Sequence, residues 1–236
     1  MVKKQRRPLK GGKIEVKYLN KLLNESYKNK DKTNSIIDDR YFLDNELSTD
    51  KTKVYIDKKT NDIAMVNRGT SDYKDVLTDA KLLFGYNDKS RFGEAKDVFN
   101  KVKNKYTDKN IDLIGHSLGA KIAETLGDDP QVKNIITLNK PTTPKDLFIK
   151  TKNNNKQYDI RTKGDLVSVL QPLQTGQNDI VIDSETKNPY TEHKIDTLDR
   201  LNQDLIIGTG LKDRSSLKKY FQNLVLIEYL KLMNER

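Results

Sequence analysis

Cysteine is absent from this 236-residue chain. Its absence excludes disulfide bonds, a thiolate nucleophile and thiolate ligands for a metal ion. A chain without cysteine agrees with a reducing compartment but does not require one. Any covalent catalysis must therefore use a different side chain.

Long hydrophobic runs are also missing. Residues 1–13 are basic and have no apolar stretch of the kind that a signal peptide requires. Residues 217–233 are interrupted by Lys, Gln, Asn and Glu, which argues against a transmembrane helix. The sequence predicts no signal peptide and no membrane span, and hence a cytoplasmic location or, for a viral protein, a place in the virion.

Acidic residues are missing from the N-terminal segment, where basic residues cluster. The basic residues of this segment are Lys3, Lys4, Arg6, Arg7, Lys10 and Lys13. The formal net charge of the chain is +10, and such an excess attracts phosphate groups. A disordered, solubilising tail is the favoured interpretation of this basic arm, with a tether to an anionic membrane surface as the alternative. Nucleic acid is disfavoured because no recognised nucleic-acid-binding motif is present.

The length of the chain permits one α/β domain and falls short of two. We expect a flexible arm over residues 1–13 and a single domain over residues 14–236. Strands are predicted at 53–57, 62–67, 111–114, 134–138 and 158–161, and helices at 14–28, 72–83, 92–106, 118–126 and 217–233. Their alternation indicates the α/β class, with a mostly parallel central sheet flanked by helices.

The segment Gly115-His116-Ser117-Leu118-Gly119 lies between a predicted strand and a predicted helix. This is the G-x-S-x-G nucleophile elbow in its expected context, with Gly115 and Gly119 permitting the tight turn. The pattern predicts Ser117 as a nucleophile whose hydroxyl projects above the sheet. The alternative is a glycine-rich turn that contains an incidental serine.

A serine nucleophile needs a base, and the chain has two histidines. His116 adjoins the serine and should point away from its hydroxyl, so His193 is the predicted base. Asp165 is the preferred acid partner because it follows a predicted strand, whereas Asp159 lies inside that strand and is expected to face solvent. The other acids that stay open are Asp179, Asp183, Glu185 and Glu192.

An oxyanion requires two hydrogen-bond donors. The amide of Leu118, directly after the nucleophile, is one predicted donor. Thr70 is the other, because Arg68-Gly69-Thr70 ends an earlier strand and opens the next segment. A helix cap is the simpler role of Thr70, and it is compatible with this one.

Several features in order resemble the class 3 lipase family. They are a β-hairpin leading into Arg68-Gly69-Thr70, Asp79 in Val-Leu-Thr-Asp, the G-H-S-L-G motif, residues 136–141 and Gly164-Asp165-Leu-Val. The resemblance implies an α/β-hydrolase fold, Ser117, Asp165 and His193 as a triad, Thr70 and Leu118 as the oxyanion hole, and Asp79 as a buried structural acid. It implies no cofactor and no metal.

The chain departs from the family pattern at several places. Residues 71–75 are mostly polar where family lipases carry an apolar lid, which argues against strong interfacial activation. Ser168 stands where proline is usual after the acid. Asp165 and His193 are only 28 residues apart, so the C-terminal part of the fold is expected to be trimmed.

The N-terminal arm carries a second resemblance. Residues 9–13 read Leu-Lys-Gly-Gly-Lys and resemble the L-x-G-G-x sites that adenovirus-type maturation proteases cut. Heavy use of Lys, Asn and Ile also agrees with an AT-rich genome. These features favour a virus-encoded member of the family with a tethering or cleavable arm.

Three function classes follow. The favoured one is a serine esterase acting on lipid or phospholipid esters, as a triacylglycerol lipase or a phospholipase A. The alternatives are an inactive hydrolase fold used as a binding or structural module, and a basic nucleic-acid-associated protein.

Overall fold

The computed structural model describes residues 14–70, 89–142, 146, 156–171 and 178–207. The basic arm, the predicted helices at 72–83 and 217–233, Asp79 and the polar segment 71–75 lie outside the described residues. Among the described helices, none combines the length and the apolar character that crossing a membrane requires.

Strands and helices alternate along much of the described chain. The strands are β1 (Ile14–Glu15), β2 (Ile36–Ile37), β3 (Tyr41–Leu43), β4 (Thr52–Asp57), β5 (Ile63–Asn67), β6 (Ile111–His116), β7 (Val132–Leu138), β8 (Gln157–Thr162), β9 (Asn178–Ile182) and β10 (Ile206–Ile207). The α-helices are α1 (Val16–Ser26), α2 (Lys89–Lys105), α3 (Leu118–Leu126) and α4 (Pro189–His193). All five predicted strands are confirmed, as are the helices predicted at 92–106 and 118–126.

Eight strands form one sheet in the order β2-β3-β4-β5-β6-β7-β8-β9. Pairing is antiparallel from β2 to β5 and parallel from β5 to β9. The expected mostly parallel sheet flanked by helices is therefore confirmed, and three antiparallel pairings make the sheet as a whole mixed. The predicted hairpin of β4 and β5, in which Val54 pairs with Met65, joins the antiparallel part of the sheet to the parallel part.

The parallel strands are apolar on both sides because helices cover both faces of the sheet. Alternate side chains of β5 enter different cores: Met65 packs with α2, while Val66 packs with α1. In β6, Leu113 packs in the same core as Met65, and Ile114 packs in the same core as Val66. The period of two within each strand thus supplies both apolar layers.

The first predicted helix begins later than expected. Ile14 and Glu15 form β1, which pairs with β10 in a separate two-stranded sheet, and the helix runs from Val16 to Ser26. Ile14 pairs with Ile207, and both side chains are buried. This long-range pairing overrides the local helical pattern of the first two residues.

The carboxyl ends of β5, β6 and β8 all lie at one edge of the sheet, because these strands run parallel. Thr70 follows β5, Ser117 follows β6, and Asp165 follows β8. In open α/β sheets this edge is the usual place of a ligand site. The topology therefore gathers the predicted site residues from distant parts of the sequence.

Candidate active site

Ser117 occupies the turn between β6 and α3 with φ 54° and ψ −128°. A non-glycine residue at positive φ is strained, as expected for a nucleophile elbow. The close packing of the turn explains its two glycines. A Cβ on Gly115 would lie 2.2 Å from the Gly119 carbonyl oxygen, and one on Gly119 would lie 2.0 Å from the Asn67 carbonyl oxygen.

Leu118 is the first residue of α3, directly after Ser117. Amides in the first turn of an α-helix have no acceptor within the helix, and the helix dipole adds partial positive charge there. The amide of Leu118 therefore lies at the end of α3 that favours an anion. This position suits the predicted oxyanion donor.

Gly69 lies against the elbow and fixes the course of the chain into Thr70. A Cβ on Gly69 would be 2.8 Å from the Ser117 Cβ and 3.0 Å from the His116 carbonyl oxygen. Thr70, the next residue, is half-buried. The structure thus brings the segment of the second predicted oxyanion donor next to the predicted nucleophile.

His193 and Asp165 form a buried pair. The His193 Nδ1 lies 2.9 Å from the Asp165 Oδ1, and each residue is only 2% exposed. His193 ends the short helix α4, which begins where the Asn188 side chain accepts a hydrogen bond from the Tyr190 amide. A carboxylate only accepts, so Nδ1 carries the proton and Nε2 is the basic nitrogen.

The Asp165 carboxylate receives further hydrogen bonds from its own loop. Its Oδ1 accepts from the Val167 amide at 3.1 Å, and its Oδ2 accepts from the Ser168 amide at 3.2 Å and the Ser168 hydroxyl at 2.5 Å. Ser168, at the position where the family pattern has proline, is thus a site residue whose contact the sequence analysis missed.

We expect Ser168→Ala to lower kcat about tenfold with little change in KM. Loss of one hydrogen bond to a charged group is worth about 1.5 kcal/mol, which corresponds to about tenfold in rate. Steady-state kinetics on a soluble ester measures the effect. Ser48→Ala is the control, because it removes another buried hydroxyl bond, to the Asp44 carbonyl in the β3–β4 connection. Equal kcat values for both variants would show that Ser168 does not support the carboxylate.

The expectation that Asp159 faces solvent is wrong. Asp159 is fully buried in β8, where its carboxylate accepts from Gln157 and Thr137 and pairs with the ammonium of Lys140 at 3.3 Å. Lys140 also contacts Glu124 of α3 at 2.5 Å. These partners offset the cost of removing the charges from water.

Three of the four other acids that the sequence leaves open pair with basic side chains. Asp183 pairs with the exposed Lys163, while Glu185 and Glu192 both pair with Arg200. Asp179 is half-buried in β9. The carboxylate that lies within hydrogen-bond distance of His193 Nδ1 belongs to Asp165.

The His116 side chain is buried and contacts the backbone of His193. Its Nδ1 lies 2.6 Å from the Tyr27 hydroxyl and its Nε2 lies 2.8 Å from the His193 carbonyl oxygen. Burial, and secondarily the nearby His193, lower the pKa of His116 to about 3, so its ring is neutral. Sequence reasoning gave no role to Tyr27, which lies 89 positions earlier.

The described residues contain no group of three or more His, Asp or Glu side chains arranged to hold a metal ion. The arrangement at the sheet edge is instead one of a strained serine, a histidine–carboxylate pair and helix-terminal amides. Chemically, it suits proton transfer and stabilisation of a developing oxyanion.

Comparison with solved structures finds the Lip2 lipase from Yarrowia lipolytica, at a TM-score of 0.50 and 18% sequence identity. The match covers 74% of this chain and 84% of that one. The chain shares the α/β-hydrolase fold with that protein. The fold expected from the class 3 lipase resemblance is therefore confirmed.

Two further lipase structures are similar at lower scores. The Rhizomucor miehei lipase in a propeptide complex gives a TM-score of 0.48 and 16% identity, over 80% of this chain and 81% of that one. A triacylglycerol lipase described as having a serine protease triad gives a TM-score of 0.46 and 17% identity, over 71% of this chain and 78% of that one. No family model and no curated protein matches the sequence.

Proposed function

We propose that this protein is a serine esterase that hydrolyses carboxylic ester bonds of lipids through an acyl-enzyme on Ser117. The observation that carries the proposal is the buried Asp165–His193 pair, held by hydrogen bonds against the residue that precedes the elbow serine. A lipase fold and an elbow at the carboxyl edge of the sheet support the same assignment.

In the first half-reaction the Ser117 Oγ attacks the ester carbonyl carbon while His193 Nε2 takes the hydroxyl proton. The Leu118 and Thr70 amides donate to the oxyanion of the tetrahedral intermediate. His193 then gives its proton to the leaving alcohol oxygen as the carbon–oxygen bond breaks. Asp165 keeps the imidazole in one tautomer and stabilises its charged form.

The second half-reaction releases the acyl group. Water attacks the acyl carbon and gives a proton to His193, and the intermediate collapses to a carboxylic acid as Ser117 Oγ regains that proton. No cofactor enters either half. The formal charge of +10 favours phospholipid substrates and anionic surfaces over neutral triacylglycerol.

The test is hydrolysis of nitrophenyl esters of increasing chain length, together with phosphatidylcholine and phosphatidylglycerol vesicles. We expect turnover of the soluble esters and faster release of fatty acid from phosphatidylglycerol. If a folded preparation hydrolyses none of them, the esterase proposal is wrong and the inactive binding module takes its place.

Thr70 offers a separate prediction for the oxyanion hole. If its hydroxyl donates in addition to its amide, Thr70→Val lowers kcat by about 10²-fold with little change in KM. Thr70→Ser, which keeps the hydroxyl, is the matched control and should remain near the wild-type rate. A wild-type kcat for Thr70→Val would restrict the role of this residue to its amide.

A further inference from the structure

A chain of hydrogen bonds joins the two sides of the proposed active site. The Gly69 amide donates to the Tyr27 hydroxyl at 3.0 Å, and that hydroxyl lies 2.6 Å from the Nδ1 of His116. The His116 Nε2 then lies 2.8 Å from the carbonyl oxygen of His193. The path runs from the residue before Thr70 to the backbone of the proposed base.

The chemistry of these groups fixes the direction of each bond. An amide only donates, so the Tyr27 oxygen accepts from Gly69 and its single proton goes to His116 Nδ1. His116 therefore carries its own proton on Nε2 and donates it to the His193 carbonyl. The opposite tautomer would place a nitrogen lone pair against that carbonyl oxygen.

A second residue holds the same carbonyl. The Asn139 side-chain amide donates to the carbonyl oxygens of both Glu192 and His193, at 3.1 Å each, while its own oxygen accepts from the Thr162 amide at 2.8 Å. Asn139 follows β7 and His116 ends β6. The backbone of His193 is thus anchored to two neighbouring strands of the sheet.

The position of Tyr27 explains how a residue from α1 reaches the site. Tyr27 directly follows α1, and α1 packs on the face of the sheet that includes Val66 and Ile114. Its ring is tilted against that of His116 at 5.7 Å, and the His116 ring is 4.8 Å from that of His193. Burial raises the pKa of Tyr27 to about 12, so the hydroxyl keeps the proton that it donates.

We propose that Tyr27 and His116 are positioning residues that hold the Gly69–Thr70 segment and His193 in one fixed arrangement around Ser117. Burial keeps the His116 ring neutral, so that no second cation opposes the imidazolium that forms on His193 during the reaction. This inference rests on the proposed esterase function and adds two residues to it. Neither side chain takes part in bond making.

The first test compares Tyr27→Phe with Tyr55→Phe. Tyr55 is a buried tyrosine of the same core, and its hydroxyl has a long contact of 3.4 Å to the Asn34 carbonyl oxygen. We expect Tyr27→Phe to lower kcat on a soluble nitrophenyl ester about tenfold with KM unchanged. Tyr55→Phe should keep the wild-type kcat.

The second test uses partial mimics of His116. A glutamine places an amide donor near the position of Nε2, and an asparagine places a carbonyl acceptor near that of Nδ1. We expect kcat for His116→Gln and for His116→Asn to exceed that of His116→Ala, with KM similar in all three. This rescue also keeps the test decisive if Tyr27→Phe fails to fold.

Thermal melting separates positioning from a purely structural role. If Tyr27→Phe changes only the melting temperature, and both mimics have the same kcat as His116→Ala, the positioning role is wrong. Such a result in an active wild-type protein would leave the esterase proposal standing. A folded wild-type protein without esterase activity would overturn both.

Discussion

A Ser117→Ala variant should keep its fold and lose ester hydrolysis by about 10⁶-fold in kcat, as expected for removal of a nucleophile that works with a base. Alanine keeps the Cβ at the same positive φ, so the substitution removes the hydroxyl without changing the strain of the turn. The buried Asp165–His193 pair would remain without a group to activate.

The measurement is steady-state hydrolysis of a soluble nitrophenyl ester, with thermal melting as the check on folding. Ser35→Ala is the matched control, because Ser35 is an exposed serine next to the edge strand β2. It should keep the wild-type rate. If Ser117→Ala also keeps that rate, the nucleophile is another residue and the elbow is only a turn.

Asp165→Asn should lower kcat by about 10⁴-fold, because the histidine is then held in the wrong tautomer. The carboxylate now accepts from His193 Nδ1, Val167 and Ser168. An asparagine has one accepting oxygen and one NH₂ group, so its NH₂ group must face some of the donors that now bond to the carboxylate. If the NH₂ group faces His193, Nδ1 becomes the acceptor and Nε2 carries the proton, so it can no longer take one from Ser117.

Asp183→Asn is the control for this substitution. Asp183 is an acid of the same region whose carboxylate pairs with Lys163 at the surface. It should keep the wild-type kcat. If Asp165→Asn has near-normal turnover and a normal melting temperature, the acid of the proposed triad is a different carboxylate.

The elements that the sequence predicts well are those governed by local pattern. A short apolar run predicts a strand over residues 111–114, and the structure has it at Ile111–His116. The helix predicted over residues 118–126 is observed at Leu118–Leu126. By contrast, β9 was not predicted. Its run Ile180-Val181-Ile182 is β-branched and favours a strand, but the place of that strand in the sheet comes from its pairing with β8.

Within the site, long-range contacts mark the limit of sequence reasoning. The assignment of Asp165 as the partner of His193 rested on its position after a strand, and the structure places the two in contact. Tyr27 could not be found in this way, because its bond to His116 spans 89 positions and no motif links them. The burial of Asp159 cannot be predicted from spacing, because it depends on the buried partner Lys140 on a neighbouring segment.

Labelling with a fluorophosphonate probe, followed by peptide mass mapping, tests the proposed esterase most directly. The probe reacts with a serine only where a base and an oxyanion hole activate it. We predict a single adduct on the peptide that contains Ser117, and no adduct in Ser117→Ala or His193→Ala. A folded wild-type protein that stays unlabelled, or that is labelled at a different residue, would contradict the assignment of Ser117 as the nucleophile.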